Sequence, residues 1–139
     1  MKSKDIVYPA IFTKTKKEYL VDIPDLAIAT QGKSLSHAMS MARDAIGVTI
    51  IDMQDSREKI PTPSDISAIN IRKGRFAKEG ISLVSLIDVD IVAYRKKAES
   101  RYVRRNVTLP SWLDHEAKQR KINVSKILQE ALAQKISEA

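Results

Sequence analysis

Apolar and polar residues alternate with period two in "IVYPAIF" (6–12) and "EYLVDI" (18–23), and the polar "TKTKK" between them predicts a hairpin. "AIATQG" (27–32) continues the meander as a third strand, which Gly32 ends. The period then changes. After Ser34, a residue suited to N-capping, Leu35, Met39, Ala42, Ile46, Thr49 and Met53 recur at 4-3-4-3-4 spacing, as on one face of a helix. Gly47 inside that helix costs roughly 1 kcal/mol against alanine, too little to break it. "IPTPSDI" (60–66) stops the helix, because each proline lacks an amide hydrogen and restricts the residue before it. Residues 67–80, containing "RKGRFAKEG", are expected to form a mobile basic loop. "ISLVSLIDVDIVAY" (81–94) returns to period two, with Leu83, Ser85, Ile87, Val89 and Ile91 on one face and Val84, Leu86, Asp88 and Asp90 on the other. Residues 1–94 therefore read as a β-β-β-α-β module, a sheet packed on one helix, of the α+β class.

Periodicity fails in "RKKAESRYVRR" (95–105), where six of eleven residues are basic, and a linker is expected at 95–101. The remainder, 102–139, reads as strand, helix, helix. "VRRNVTLPSW" (103–112) is a short strand running into a helix with Pro110 in its first turn, and Asn123 can cap a second helix. Val124, Ile127, Leu128, Ala131, Leu132 and Ile136 form one apolar stripe on that helix.

Charge sharpens the division. Residues 1–93 hold 13 Lys/Arg against 12 Asp/Glu, whereas 94–139 hold 11 against 5, so nearly all of the formal +7 lies in the last third. A step of this kind points to two modules with different partners, the basic one facing a polyanion such as nucleic acid. The absence of cysteine excludes disulfides, a thiolate nucleophile and a zinc finger, and the two histidines, His37 and His115, are far apart in sequence. No stretch reaches the roughly 18 apolar residues of a membrane span, and the first residues lack the apolar core of a secretory signal. The expectation is a cytoplasmic protein without membrane contact, cofactor or metal.

A lone strand leaves one row of backbone groups unpaired, and two short helices cannot enclose a core. Pairing with the same strand of a second chain would satisfy the edge and close four helices under a two-stranded ribbon. Alternation then assigns the faces. Val107 and Leu109 point inward to a dimer core shared with Ile127, Leu128 and Leu132, and Arg104, Asn106 and Thr108 point outward. The inverse register would bury the three polar residues and expose the apolar ones, at far greater cost. Arginine pairs with guanine, asparagine with adenine, and threonine meets a thymine methyl or a base edge, so the outward face suits the DNA major groove. Arg105, on the inner side near the ribbon's end, can reach a phosphate. Free amides at Asn123, Val124 and Ser125, with Lys126 close by, offer a second phosphate seat at a helix N-terminus.

"VRRNVTLPSWLDHEAKQRKINVSKILQEALAQKI" resembles a ribbon-helix-helix DNA-binding domain, with "NVS" in place of the usual glycine-containing turn. The resemblance implies an obligate homodimer, with the possibility of a tetramer, whose Arg104, Asn106 and Thr108 read operator DNA. "VYPAIF", "YLVDIPDLAIATQGKSLSHAMSMARDAIG" and "IPTPSDI" resemble the HicB-type antitoxin domain, so that the resemblance extends over nearly the whole chain. It implies a partial RNase H-like fold that masks a HicA-type toxin, an mRNA-cleaving ribonuclease, with the turn Pro24, Asp25 and Leu26 as a candidate toxin contact. The expected function is an antitoxin, not an enzyme, that also represses its own operon. Two alternatives stand beside it. One is a ligand-responsive transcriptional regulator, and the other is a metal-dependent nuclease using Asp88 and Asp90, which lie two apart on one strand.

Overall fold

Tyr8, Ala10 and Phe12 alternate with Pro9, Ile11 and Thr13 along strand β1 (Asp5–Lys14), and all six are buried, so both faces of the strand are covered. The computed structural model describes residues 5–99 and 102–138, which fall into two compact units, 5–99 and 102–138. In the first unit β1 is central. β2 (Tyr19–Ile23) and β3 (Ile28–Gly32) follow on one side and β4 (Ile81–Asp90) on the other, giving an antiparallel sheet ordered β3-β2-β1-β4. The β1–β2 register runs from Lys14 opposite Tyr19 to Ile11 opposite Asp22, and β1 pairs with β4 along its whole length, Tyr8 facing Ile87 and Pro9 facing Leu86.

Helix α1 (Leu35–Asp55) covers the face that carries Tyr8, Ala10, Phe12, Val21, Ile23, Ile87 and Val89. Its cap is the one expected: the Ser34 side chain accepts from the amide of His37, and His37 Nδ1 accepts from the amide of Lys33. The buried stripe, however, is Ala38, Ala42, Ile46 and Ile50, with Met39 and Met53 half-buried, and Leu35 is exposed. Spacings of three and four allow two overlapping stripes, and close approach selects the one led by alanines. At Gly32 a β-carbon would lie 2.3 Å from the Ala38 amide nitrogen, a gap that only glycine leaves open.

Residues 60–80 are ordered rather than a free loop: Ile60 packs on the α1 side of the sheet, and Gly74 and Arg75 reach the opposite face. They form short 3-10 turns at Ile66–Ala68 and Ile71–Lys73, capped by Asp65 and Asn70. Three contacts fix their path. Tyr8 Oη donates to the Pro61 carbonyl at 2.5 Å, the Arg75 amide donates to the buried Asp22 carboxylate at 3.0 Å, and Gly74 lies against Ile11. Burying Asp22 is affordable because an amide meets its carboxylate.

The strand expected to run to Tyr94 ends at Asp90. Residues 91–98, expected as strand end and basic linker, form helix α2 (Ile91–Ala98), while residues 100 and 101 of that linker lie outside the described residues. Asp90 caps the helix by accepting from the Ala93 amide, and Ile91 and Tyr94, three apart, pack back on the core. Arg95 then bridges to Asp55, Gln54 and Glu99, so its charge serves docking.

The second unit holds α3 (Ser111–Gln119) and α4 (Val124–Glu138). Pro110 is the N-cap of α3, one step before the first turn expected for it. Lys121 adopts a left-handed conformation, φ 53°, and the amides of Lys121 and Ile122 bond back to the carbonyls of Lys118 and Ala117. A lysine thus occupies the helix-ending position that glycine usually fills.

Candidate functional site

Residues 102–110 carry no regular secondary structure within one chain. A ladder needs a second strand, and the described residues supply none to this segment. Arg104, Asn106 and Thr108 are exposed, as are Arg105 and the alternating Val103, Val107 and Leu109. Neither α3 nor α4 buries a single residue. Leu128 is half-buried, whereas Trp112, Leu113, Val124, Ile127, Leu132 and Ile136 are exposed. The apolar residues assigned to the shared core, Val107, Leu109, Ile127 and Leu132, are thus exposed within one chain, and Leu128 is half-buried.

At the start of α4, Asn123 Oδ1 accepts from the Lys126 amide at 3.1 Å, and the Asn123 carbonyl accepts from the Ile127 amide. Capping thus satisfies one of the first amides and leaves those of Val124 and Ser125 without an acceptor among the described residues. The cap uses one amide and leaves the other two at the helix start open among the described residues.

In the first unit the turn Pro24–Leu26 is a 3-10 turn closed by Ala27 at φ 54°. Leu26 is buried in the core, and both Asp25 oxygens accept from Ser64, from its amide at 2.8 Å and its hydroxyl at 2.6 Å. Of the three candidate toxin contacts, Pro24 alone is exposed. The turn's first task is to hold the segment that begins at Pro61. The Asp25 charge, together with burial, also raises the Tyr8 phenol above its ordinary pKa, burial being the larger cause.

Asp88 and Asp90 share a face, as the alternation requires, but each has a structural partner. Asp88 pairs with Arg43 at 3.1 Å and Asp90 caps α2. Among the described residues no group of three or more acids or histidines could hold a metal ion, and no helix is long and apolar enough to cross a membrane.

One feature escaped the sequence reading: β4 is an edge strand, and Ile81, Leu83 and Leu86 on it are exposed. "ISLVSLI" reads equally well as a strand buried on both faces, so only the strand order reveals it.

A four-stranded antiparallel sheet backed by one long helix and followed by α2, with a separate unit of two helices, defines a two-unit protein of the α+β class. The chain belongs to the HicB-like antitoxin family of bacterial toxin–antitoxin systems, which matches residues 8–133. It is similar to a chain of a toxin–antitoxin complex from Streptococcus pneumoniae, at 28% identity and a TM-score of 0.58 over 94% of this chain and 99% of that one. The fold is shared with the Burkholderia pseudomallei antitoxin HicB, at 20% identity and a TM-score of 0.51 over 96% of this chain and 98% of that one. An uncharacterized 14.9 kDa protein of Haemophilus phage HP1 is 30% identical over 115 residues, 82% of this chain and 80% of its own length.

Proposed function

We propose that the first unit binds and neutralises an mRNA-cleaving toxin, and that the second unit dimerises through paired 103–109 strands and represses its own operon by binding operator DNA. The observation that carries the DNA half is the alternation of exposed Arg104, Asn106 and Thr108 with apolar residues that one chain leaves uncovered. Pairing two such strands covers Val107 and Leu109 and turns six polar side chains to one face, the width a major groove admits. The free amides of Val124 and Ser125, with Lys126 and Arg105, would seat on phosphates either side. The toxin half rests on the family and on the likeness to a chain of a toxin–antitoxin complex. Pro24, at the exposed corner of the Asp25–Ser64 turn, is the part of that turn left to meet a partner.

Co-expression tests the toxin half: the protein should relieve the growth arrest caused by a toxin encoded beside it and co-purify with that toxin. Failure of both would remove the antitoxin reading. For the DNA half, Leu109→Asp places a charge in the shared core and should abolish operator binding together with dimerisation of the second unit. Tight operator binding by that variant would contradict the paired ribbon.

A further inference from the structure

We infer that the first unit carries its own contact for duplex DNA, a cationic end built from the β1–β2 turn and residues 72–78 that holds the phosphate backbone without reading bases. The choice of ligand rests on the operator-binding reading of the second unit; the existence of the cationic end does not.

Two basic runs far apart in sequence meet at this end of the sheet. Lys14 closes β1 opposite both Tyr19 of β2 and Ile81 of β4, and Gly80, which follows the run 72–78, lies against the Lys14 carbonyl. The turn then presents Lys16 and Lys17. Its shape is fixed by Thr15, whose amide and hydroxyl both donate to the Glu18 carbonyl and whose Oγ1 accepts from the amides of Lys17 and Glu18. Arg72, Lys73, Arg75 and Lys78 stand on a backbone that is equally held. Asn70 accepts from the Arg72 amide, Asp22 from the Arg75 amide, and the carbonyls of Gly74 and Phe76 from the amides of Ala77 and Glu79. All seven basic residues are exposed. Their backbone is in place before any ligand arrives, which lowers the ordering cost of binding one.

Charge singles this end out. The seven cations stand among Glu18 and Glu79, with the buried Asp22 below the Arg75 amide. None of the seven forms an ion pair among the described residues, whose pairs in this unit are those of Arg43 and Arg95. Elsewhere between residues 5 and 99 the balance is the reverse, seven Lys/Arg against ten Asp/Glu. A nearly neutral unit is thus polarised, with its positive charge gathered at one end, and such a field draws in a polyanion. The side chains present select its kind. Phe76 and Tyr19, the aromatic residues nearest to these cations in sequence, are half-buried, which leaves neither ring open for a single-stranded base to stack on. Asn70, which could meet a base edge, caps its own turn. Lysines and arginines in this setting suit the phosphates of a duplex, which position a protein and carry no sequence information.

The test is fluorescence anisotropy of the full chain with a labelled duplex of random sequence and with the operator, each over a range of salt concentrations. Lys16→Gln, Lys17→Gln and Lys73→Gln together should reduce the salt slope by about 2–3 and weaken both complexes by roughly 10- to 100-fold, with the preference for operator kept. Lys33→Gln, Lys59→Gln and Lys97→Gln together remove the same charge from the rest of the unit and should leave the slope unaltered. Circular dichroism would check that both triple variants keep their fold. Equal effects of the two, or no effect of the first, overturn the inference. Loss of toxin co-purification by the first variant with duplex binding unchanged also overturns it, and assigns the end to an acidic protein surface. Leu109→Asp separates this contact from the ribbon: if it leaves operator preference intact while the first triple variant still flattens the slope, the phosphate contact stands and the ribbon reading fails. If Leu109→Asp abolishes operator binding and the first triple variant changes nothing, the ribbon stands and the phosphate contact fails.

Discussion

The ring of Tyr94 on α2 lies directly over Gly47 on α1, where a β-carbon would stand 2.7 Å from ring carbons, and its hydroxyl donates to Asp44 at 2.8 Å. A glycine that looked like a defect in a helix is the seat of a neighbouring one. Alanine at 47 must displace a ring whose far end is already tethered. Gly47→Ala should therefore destabilise the protein by about 1–3 kcal/mol. In a Tyr94→Ala background the same change should stabilise it by up to about 1 kcal/mol, the ordinary helix preference. Urea denaturation of the four proteins measures this, and equal effects in both backgrounds would refute the seat.

Burial, and then the hydrogen bond to Asp44, push the Tyr94 phenol from 10.0 up to about 12. A folded pKa above the unfolded one means that the neutral phenol contributes stability in full below pH 10, and that this is lost as pH rises through about 12. In an ultraviolet difference titration of the wild type against Tyr94→Phe, the missing phenol should be the late one. A missing transition near pH 10 would mean that the ring is free in solution.

Ser64 is the latch of the segment that crosses the second face of the sheet. Ser64→Ala removes the 2.6 Å bond to Asp25 and should cost about 1.5–3 kcal/mol, the range for a hydrogen bond to a charged group. Local release should also follow, read as faster tryptic cleavage after Arg72 and Lys73. Unchanged cleavage would show that the Tyr8 and Arg75 contacts suffice.

Lys121 holds a left-handed conformation that costs an L-residue roughly 1–2 kcal/mol. Lys121→Gly should relieve this, less the entropy that glycine adds to the unfolded chain, for a net gain of up to about 1 kcal/mol. A higher thermal midpoint of the full chain checks it.

On an operator half-site, Arg104→Ala should weaken binding by about 1–3 kcal/mol and relax preference at one base pair. Equal losses on operator and random DNA would assign Arg104 to phosphate instead.

Alternation made the strands legible, and Ser34 and Asn123 announced their helices because a cap is a local matter of one side chain and a nearby amide. What the sequence left hidden was settled by tertiary contact. Leu35 and Ala38 fit the same helical spacing, and only the approach of Gly32 chooses between their stripes. The run 95–98 looked like a linker because its charges have no period, yet Arg95 finds Asp55 and Gln54, some forty residues earlier in the chain. The period of two at 103–109 proposes faces for Arg104, Asn106 and Thr108, but within one chain the segment is irregular and all of its residues are exposed. The role of Asp25 could not be read, since Ser64 is brought to it by a fold of the intervening helix.

The β1–β2 register also explains where the hairpin ends. One further bonded step beyond Ile11 and Asp22 would bring Pro9 opposite Pro24, and neither has an amide hydrogen to donate. The two prolines act as a paired stop signal for the zipper. β2 leaves the sheet there and becomes the turn that receives Ser64, while β1 continues with β4 alone, so a pair of missing hydrogens sets where one strand's obligations end and the other's go on.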